Sequence, residues 1–271
     1  MIRLIEITPR DGIQRWKKFI PTKKKIALST LLIDSGFETV EVTSFHPKNP
    51  QFKDATKVLN ALKNYGDRIR VICYDYNGVN KALNYELKEI VFNIGTTDLF
   101  EKQFGRTTKQ ALEEAKRSIK EIKKQGVKIT LGVSSAFGTP NSNNYDLSQL
   151  FSVLDPLVNE GVNNISLADS YGIATPEWGV KVFQAVSKRF PKTDIILHFH
   201  NGKQIAMKNL KETFFVGAKA FTVSLSSKYS DAYTNPDTLS VLKFLKKQNE
   251  QLSIIESKLL KAYEYFDKIT G

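Results

Sequence analysis

Eight short runs rich in β-branched residues, separated by longer amphipathic segments, limit the folds open to this 271-residue chain. The runs cover residues 2–7, 39–43, 69–74, 89–94, 127–133, 164–168, 194–199 and 219–224. Strands that alternate with helices pair in parallel, either in a closed barrel or in an open doubly wound sheet. Because no glycine-rich phosphate loop follows the first run, the open nucleotide-binding sheet is disfavoured. The sequence therefore predicts an α/β fold, a (β/α)8 TIM barrel with additional C-terminal helices.

The segments between the runs carry ordinary helix signals. In "PTKKKIALSTLLIDSG", Thr22 is the predicted N-cap and Gly36 the predicted C-terminal stop. No linker-like or low-complexity segment divides the chain. Residues 1–271 are therefore expected to form one catalytic domain, with the barrel over about 1–245 and a helical extension over about 246–271.

The net charge of +12 permits two interpretations, nucleic-acid binding or attraction of anionic small molecules. The lysines are scattered along helical segments such as "AKRSIKEIKKQG", which is typical of solvated helix faces. Because no nucleic-acid-binding fingerprint accompanies them, nucleic acid is disfavoured as a partner and a small anionic substrate is favoured.

The cysteine count and the hydropathy pattern bear on location. A single cysteine, Cys73, excludes an internal disulfide and fits a reducing compartment. No apolar stretch approaches the roughly 18–20 residues of a membrane-spanning helix, and "MIRLIEITPRDG" lacks a signal-peptide pattern. A cytoplasmic protein without a membrane partner is expected.

Two of the three histidines lie in "LHFHN", at alternate positions of a predicted strand. Side chains two residues apart on a strand share a face, so His198 and His200 point the same way. The pair by itself is compatible with two satisfied core histidines or with a metal site.

The barrel prediction brings further polar residues to the same place, because barrel sites lie at the carboxyl ends of the strands. The polar residues predicted there include Arg10, Asp11, Gln14, Glu41, Thr43, His46, Asp169, Ser170, His198, His200 and Asn235. Barrel closure puts the seventh, eighth and first strands side by side, so Asp11, His198, His200 and Asn235 are expected to converge. This mixed nitrogen and oxygen set favours Mg²⁺ or Mn²⁺, with Zn²⁺ or Co²⁺ as competitors.

Four ordered motifs carry a family resemblance. "EITPRDGIQ", "ETVEVTSF", "ISLADSYGIATP" and "LHFHN" together resemble the DRE-TIM metallolyase superfamily, and within it the 3-hydroxy-3-methylglutaryl-CoA (HMG-CoA) lyase branch. The superfamily also contains isopropylmalate, homocitrate and citramalate synthases and pyruvate-type aldolases. The resemblance extends from Ile5 to about Leu242 and thus covers nearly the whole chain.

The resemblance implies a reaction and a role for each matching residue. The reaction is divalent-metal-dependent cleavage of HMG-CoA, or a close analogue, to acetyl-CoA and acetoacetate. The implied metal ligands are Asp11, His198, His200 and Asn235; the implied catalytic residues are Arg10, Glu41 and Asp169. Two alternatives stay open: Asp169 is equally compatible with a cap of the turn after its strand, and Arg10 with a salt bridge to Asp11 or Glu41. Gln14, Thr43 and Ser170 are candidates for substrate binding, and Thr43 and Ser170 are equally compatible with plain strand-end hydrogen bonding. A homodimer is a further expectation that rests on the resemblance alone.

The chain departs from the branch where the acyl-CoA substrate is handled. The usual glycine-rich loop with its cysteine, G-L-G-G-C-P-Y-A, is replaced by "SLSSKYSDAYTN" at residues 224–235. This loop has neither glycine nor cysteine, and its Lys228, Tyr229 and Tyr233 either cover a different substrate or merely pack. In addition, Gln204 stands where glycine is typical, and His46 lies in a loop of different length and is left out of the site.

These departures keep two other hypotheses open. One is an aldolase, or a synthase that condenses an acyl-CoA with a 2-oxo acid. The other is a barrel that binds a metal or an anionic ligand without turnover.

Overall fold

The strands form a closed barrel in the computed structural model, which describes residues 1–140, 145–202, 204–226 and 234–271. They are β1 (Arg3–Glu6), β2 (Val40–Phe45), β3 (Ile69–Cys73), β4 (Glu89–Gly95), β5 (Lys128–Ser134), β6 (Asn164–Asp169), β7 (Asp194–Phe199) and β8 (Ala220–Val223). Each pairs in parallel with the next, and β8 closes the barrel on β1 from Arg3↔Ala220 to Glu6↔Val223. The predicted (β/α)8 fold is confirmed, and all eight strands lie where the β-branched runs indicated.

Helices follow the strands in the alternating order that the sequence predicts. They are α1 (Thr22–Asp34), α2 (Ala55–Ala61), α3 (Tyr76–Ala82), α4 (Asp98–Lys102), α5 (Thr108–Lys124), α6 (Leu147–Val158), α7 (Pro176–Arg189), α8 (Ala206–Phe215), α9 (Thr238–Lys247) and α10 (Glu256–Thr270). Short 3-10 turns lie at Asp11–Ile13, Pro50–Phe52 and Lys63–Arg68. In the described ranges, none of the helices is both long enough and apolar enough to cross a bilayer.

The ends of α1 show what local signals can and cannot determine. The prediction that Thr22 is the N-cap is wrong, because Thr22 is the first helical residue and Pro21 occupies the cap position without a side-chain hydrogen bond. Past the other end, Gly36 has a φ of 103°, and a Cβ atom built there would lie 2.4 Å from the Ser253 carbonyl oxygen. Glycine is therefore required at this turn.

The C-terminal helices have different positions relative to the barrel. Helix α9 follows β8 and completes the last strand–helix unit, whereas α10 packs against α1. Phe266 of α10 lies 6.3 Å from Trp16, between ring centroids, just beyond the turn that follows β1. The extra helix thus supports the segment that carries Asp11.

The chief hydrophobic cluster fills the space between the strands and the surrounding helices, and many of its members are fully buried. The barrel interior, by contrast, contains charged and polar side chains. Arg70, Glu89, Thr130 and Asn164 are buried, and the Glu89 carboxylate accepts hydrogen bonds from Arg70 (2.8 Å) and Thr130 (2.8 Å). Burial of this much charge is costly unless it is paired, as it is here.

Candidate metal centre and reaction cavity

Asp11, His198 and His200 converge at the carboxyl end of the barrel, as the sequence predicts. The Asp11 Oδ2 atom lies 3.0 Å from His200 Nε2 and 3.4 Å from His198 Nε2, and the two Nε2 atoms are 3.3 Å apart. All three side chains are buried. Among the described residues, they form the group of acidic and histidine side chains whose ligand atoms lie close enough together to hold a metal ion.

The backbone explains how Asp11 reaches the histidines. The chain folds back directly after β1, where the backbone N–H groups of Arg10 and Asp11 both donate to the Ile7 carbonyl oxygen, at 3.0 and 2.7 Å. The 3-10 turn Asp11–Ile13 follows at once. Because β1 and β7 both neighbour β8, this turn stands over the strand end that carries His198.

The two imidazoles are oriented through their Nδ1 atoms. His200 Nδ1 lies 2.9 Å from the Asp169 carbonyl oxygen, and His198 Nδ1 lies 3.0 Å from the Thr222 hydroxyl oxygen. A carbonyl oxygen only accepts, so His200 carries a proton on Nδ1 and its Nε2 lone pair is free when the ring is neutral. Fixing the outer nitrogen in this way is the usual arrangement of metal-binding histidines.

The spacing of the three ligand atoms fits one divalent ion. Octahedral ligands each about 2.1 Å from Mg²⁺ lie about 3.0 Å apart, and tetrahedral Zn²⁺ ligands lie about 3.4 Å apart. The observed separations of 3.0–3.4 Å span both values. The donor atoms therefore fit a divalent cation without selecting its identity.

The ionisation of the three groups also suits a cation. Burial opposes the charge on Asp11, but the neighbouring Arg10 and both histidines hold its pKa well below the ordinary value. Burial lowers the pKa of His198 despite its hydrogen bond to Asp11. For His200, burial is outweighed by the hydrogen bond to Asp11 and by that carboxylate's charge, so its pKa is raised. A cation that binds His200 would therefore compete with a proton for Nε2.

Asn235, the fourth predicted ligand, lies beside the cluster. It is buried, its amide nitrogen donates to the Phe199 carbonyl oxygen at 3.1 Å, and the same nitrogen is 3.4 Å from His198 Nε2. The residue is thus close enough to complete the donor set by rotation of its amide.

A chain of alternating charges extends from this cluster into the barrel. Arg10 bonds Asp11 at 2.6 Å and also pairs with Glu41; Arg70 pairs with Glu41 at 2.9 Å. Arg70 then reaches Glu89 at 2.8 Å. Burial would raise the pKa of Glu41, but the two arginines outweigh it and lower that pKa. Three carboxylates against two guanidinium groups leave one net negative charge, which a divalent cation would reverse.

Asp169 adopts the second of its two predicted roles, a cap of the turn after β6, rather than a place at the substrate. Its two carboxylate oxygens accept the backbone N–H groups of Ile173 (3.0 Å) and Ala174 (3.1 Å), and the side chain is not part of the cavity wall in the described ranges. The residue shapes the turn after β6, and its carbonyl oxygen holds His200.

The three candidate substrate-binding residues fall into two groups. Gln14 and Ser170 line the cavity; Gln14 bonds Asp11, and Ser170 accepts the Ser135 N–H at 2.9 Å. Thr43 is fully buried beside a register shift in β2 and does not line the cavity among the described residues, so its position differs from the prediction.

A cavity of about 280 Å³ opens beside the metal cluster. Its described lining includes Arg10, Asp11, Gln14, Arg15, Glu41, His46, Asn49, Arg70, Ile72, Tyr74, Val91, Asn93, Phe100, Gln103, Phe104, Gly132, Val133, Ser134, Ser166, Ala168, Ser170, His198 and His200. One wall carries the metal cluster and the charged chain. Another part of the lining is aromatic.

The aromatic wall, defined as His46, Tyr74, Phe100 and Phe104, is one part of the site that the sequence motifs did not predict, and Arg70 is another. The Tyr74 ring stacks on Phe104 (centroids 5.3 Å apart, 22° between planes) and lies 4.6 Å from the His46 ring. His46 lines the cavity, although the different length of its loop argues against a place in the site. The available signal was position, since His46 and Tyr74 directly follow β2 and β3.

The altered segments after β7 and β8 are described in part. Gln204 has a φ of 59°, in the left-handed region that favours glycine, which explains why glycine is typical there. After β8, the backbone N–H of Leu225 donates a hydrogen bond to the Thr8 hydroxyl at 2.7 Å, which links this segment to the chain just after β1. Lys228, Tyr229 and Tyr233 lie outside the described residues.

Comparisons with known proteins agree with this arrangement. The HMGL-like family profile matches residues 1–226. The hydroxymethylglutaryl-CoA lyase YngG of Bacillus subtilis (strain 168) is 26% identical over 283 residues, which cover 100% of this chain and 93% of that protein. The crystal structure of the B. subtilis HMG-CoA lyase superposes with a TM-score of 0.92 at 25% identity, covering 100% of this chain and 94% of the other.

A third match shows the fold alone, because its identity is only 22%. It is an HMG-CoA lyase structure from Acinetobacter baumannii, in complex with coenzyme A and 3-methylmalate. Its TM-score is 0.91, and the alignment covers 100% of this chain and 92% of the other.

Proposed function

Because this chain belongs to the HMGL-like family, we propose that it is a divalent-metal-dependent carbon–carbon lyase that cleaves HMG-CoA, or a close analogue, to acetyl-CoA and acetoacetate. The family match and the lyase relatives confirm the predicted superfamily and its HMG-CoA lyase branch. The single observation that carries the proposed chemistry is the convergence of Asp11, His198 and His200, with both histidines anchored through Nδ1.

In this proposal Asp11, His198 and His200 hold the cation, and Asn235 adds an amide ligand. Bound there, Mg²⁺ or Mn²⁺ would lower the pKa of the substrate's tertiary hydroxyl and fix its orientation. Zn²⁺ and Co²⁺ are the competing ions, since the ligand spacing accommodates tetrahedral as well as octahedral geometry.

Arg10 is the proposed stabiliser of developing negative charge. Its guanidinium lines the cavity and is fixed by Asp11 and Glu41, so it needs no reorganisation when an enolate oxygen forms beside it. Glu41 acts by holding Arg10 and Arg70 in place. Asp169 acts indirectly, because its carbonyl oxygen orients the imidazole of His200.

The proposed substrate is a small anionic molecule, either an acyl-CoA or a hydroxy or oxo acid. With a divalent cation in place, the charged chain carries one net positive charge and so favours a carboxylate. Gln14 and Ser170 are the proposed polar contacts to that substrate, since both line the cavity. The basic net charge of +12 adds a field that attracts anions.

The test is release of acetoacetate from HMG-CoA with Mg²⁺ or Mn²⁺, with EDTA as the control. We expect metal-dependent product, and no product from a His198→Ala variant that retains the circular dichroism spectrum and melting profile of the wild type. Absence of acetoacetate from wild-type protein that demonstrably binds the metal would contradict the proposed substrate.

An aldolase or 2-oxo acid synthase of the same superfamily is the second candidate. The observation that favours it is the segment 224–235, which has neither the glycines nor the cysteine that the lyase branch uses on acyl-CoA. This second candidate would be supported if the protein turned over a hydroxy or oxo acid without coenzyme A in a metal-dependent way and did not cleave HMG-CoA.

Three further proposals concern organisation rather than chemistry. Residues 1–271 act as one catalytic domain, which the packing of α10 on α1 supports. A homodimer is proposed from the family resemblance alone. A cytoplasmic location is proposed from the single cysteine of the sequence, Cys73, which is buried and unpaired.

A further inference from the structure

The cavity needs a proton donor, and most of its described ionisable groups are already engaged. Asp11, His198 and His200 face the proposed cation. Both oxygens of Glu41 are paired with arginines. The arginines keep their protons at any physiological pH. Cys73 is buried and does not belong to the described cavity wall.

Two groups in the aromatic wall remain, His46 and Tyr74. His46 Nδ1 accepts the backbone N–H groups of Lys48 and Asn49, both at 3.1 Å, so the neutral ring carries its proton on Nε2. Burial and the charge of Arg10 lower the pKa of His46, which keeps it neutral. Release of the Nε2 proton would leave an imidazolate, so His46 is a hydrogen-bond donor rather than an acid.

Tyr74 is placed as an acid would be. It directly follows β3 at the catalytic end of the barrel, and it lines the cavity. Its hydroxyl has no hydrogen-bond partner among the described residues, although Arg10, Asp11 and Glu41 are close enough for their charges to act on it. Burial, with Asp11 and Glu41, raises the pKa of Tyr74 to about 12, so the phenol keeps its proton at neutral pH.

We propose that Tyr74 is the catalytic acid of this cavity, protonating the carbon released by carbon–carbon bond cleavage in place of the cysteine that the segment after β8 lacks. The inference rests on the proposed lyase function. His46 is a positioning residue, because its ring contacts the Tyr74 ring at a centroid distance of 4.6 Å. Phe104 contacts both, at 5.3 Å from Tyr74 and 5.4 Å from His46, so the three rings form a triangle.

The step balances without any further reactant. The tertiary hydroxyl loses its proton to water and becomes the ketone of acetoacetate as the bond between C2 and C3 breaks. The electron pair of that bond passes to C2 and forms the thioester enolate. Tyr74 gives its phenolic proton to C2, which yields acetyl-CoA, and the tyrosinate recovers a proton from water.

The test compares Tyr74→Phe with a matched variant, Tyr76→Phe. Phenylalanine keeps the ring that packs on Phe104, and Tyr76 stacks on Arg117 at 3.7 Å outside the described cavity wall. Acetoacetate release from HMG-CoA should show kcat lower by at least about 100-fold in Tyr74→Phe, with KM within about threefold, and unchanged values in Tyr76→Phe. Mn²⁺ affinity should be unchanged in both variants.

The other outcomes of this comparison argue against Tyr74. If the wild type is active and Tyr74→Phe keeps its kcat within about fivefold, Tyr74 is not the acid and the lyase function stands. Tyr74 is likewise excluded as the acid if Tyr229→Phe or Tyr233→Phe, rather than Tyr74→Phe, loses turnover.

If the wild type does not cleave HMG-CoA, the proposed function fails and a second measurement decides on Tyr74. Acetyl-CoA and pyruvate are each incubated with wild type and Mn²⁺ in D₂O, and deuterium in the methyl group is measured by mass spectrometry. Metal-dependent exchange that Tyr74→Phe abolishes supports the inference. Exchange that persists in Tyr74→Phe, or no exchange by the wild type with either compound, overturns it.

Discussion

The two sides of the cavity are built from opposite chemistry. The metal side consists of ionised groups that pair with one another, from Asp11 through Arg10 and Glu41. The aromatic wall consists of neutral rings, and the Tyr74 hydroxyl there has no hydrogen-bond partner in the described part of the chain. A pre-paired charged side suits binding and orientation of a reactive anion, whereas a neutral wall with a free hydroxyl suits substrate shape and proton donation.

Asp11→Asn should produce the largest effect, because it removes the negative ligand that joins both histidines. We expect Mn²⁺ affinity to fall by at least about 100-fold and lyase activity by more than about 1000-fold. Isothermal titration calorimetry and the acetoacetate assay measure the two effects. Asp194→Asn, at the opposite end of β7, is the matched control and should bind Mn²⁺ as the wild type does.

Glu41→Gln tests whether the charged chain serves only the chemistry or also the fold. It leaves Arg10 and Arg70 without their shared carboxylate in a buried environment. We expect a loss of about 3–5 kcal/mol in the free energy of unfolding and about a 100-fold fall in kcat. Urea unfolding followed by circular dichroism checks the first value; a wild-type midpoint would show that the arginines find other partners.

The pH dependence of metal binding examines the metal side alone. The pKa of His200 is raised above its ordinary value of 6.5, and the ligand must be unprotonated on Nε2 to bind the cation. Affinity for Mn²⁺ should therefore rise with pH, by up to about tenfold per unit below that pKa, and level off above it. Asp11 stays ionised throughout, since its pKa is lowered. A flat affinity between pH 6 and 8 would argue against His200 as a ligand.

Phe104→Leu should give the smallest change and act only on the aromatic wall. It removes the ring that stacks on Tyr74 and leaves the metal side intact. We expect KM to rise about three- to tenfold with Mn²⁺ affinity unchanged, consistent with an aromatic contact of about 1 kcal/mol. Phe151→Leu, outside the described cavity wall, should leave KM unchanged.

The same contrast explains how much the sequence alone could predict. The β-branched runs determine the barrel, because strands buried on both faces require them. The convergence of Asp11 with His198 and His200 followed from barrel closure and from the alternation of side chains along β7. Both rules concern backbone geometry, which periodicity reveals.

The remaining details depend on packing and loop conformation, which periodicity does not reveal. Asp169 lies at a strand end but turns its carboxylate onto the backbone of its own loop, at Ile173 and Ala174. Thr43 lies beside a register shift in β2 and does not line the cavity among the described residues. His46 and Tyr74 form a wall only because their loops bring the rings together with Phe104.

The most direct test of the metal centre is anomalous diffraction from a crystal soaked in Mn²⁺. We expect one strong peak with Asp11 Oδ2, His198 Nε2 and His200 Nε2 all within about 2.0–2.4 Å of it. Oxygen atoms of water or of Asn235 would complete the coordination. Full occupancy of Mn²⁺ at another place, with these three side chains in direct contact as they are now, would contradict the metal centre and the lyase mechanism built on it.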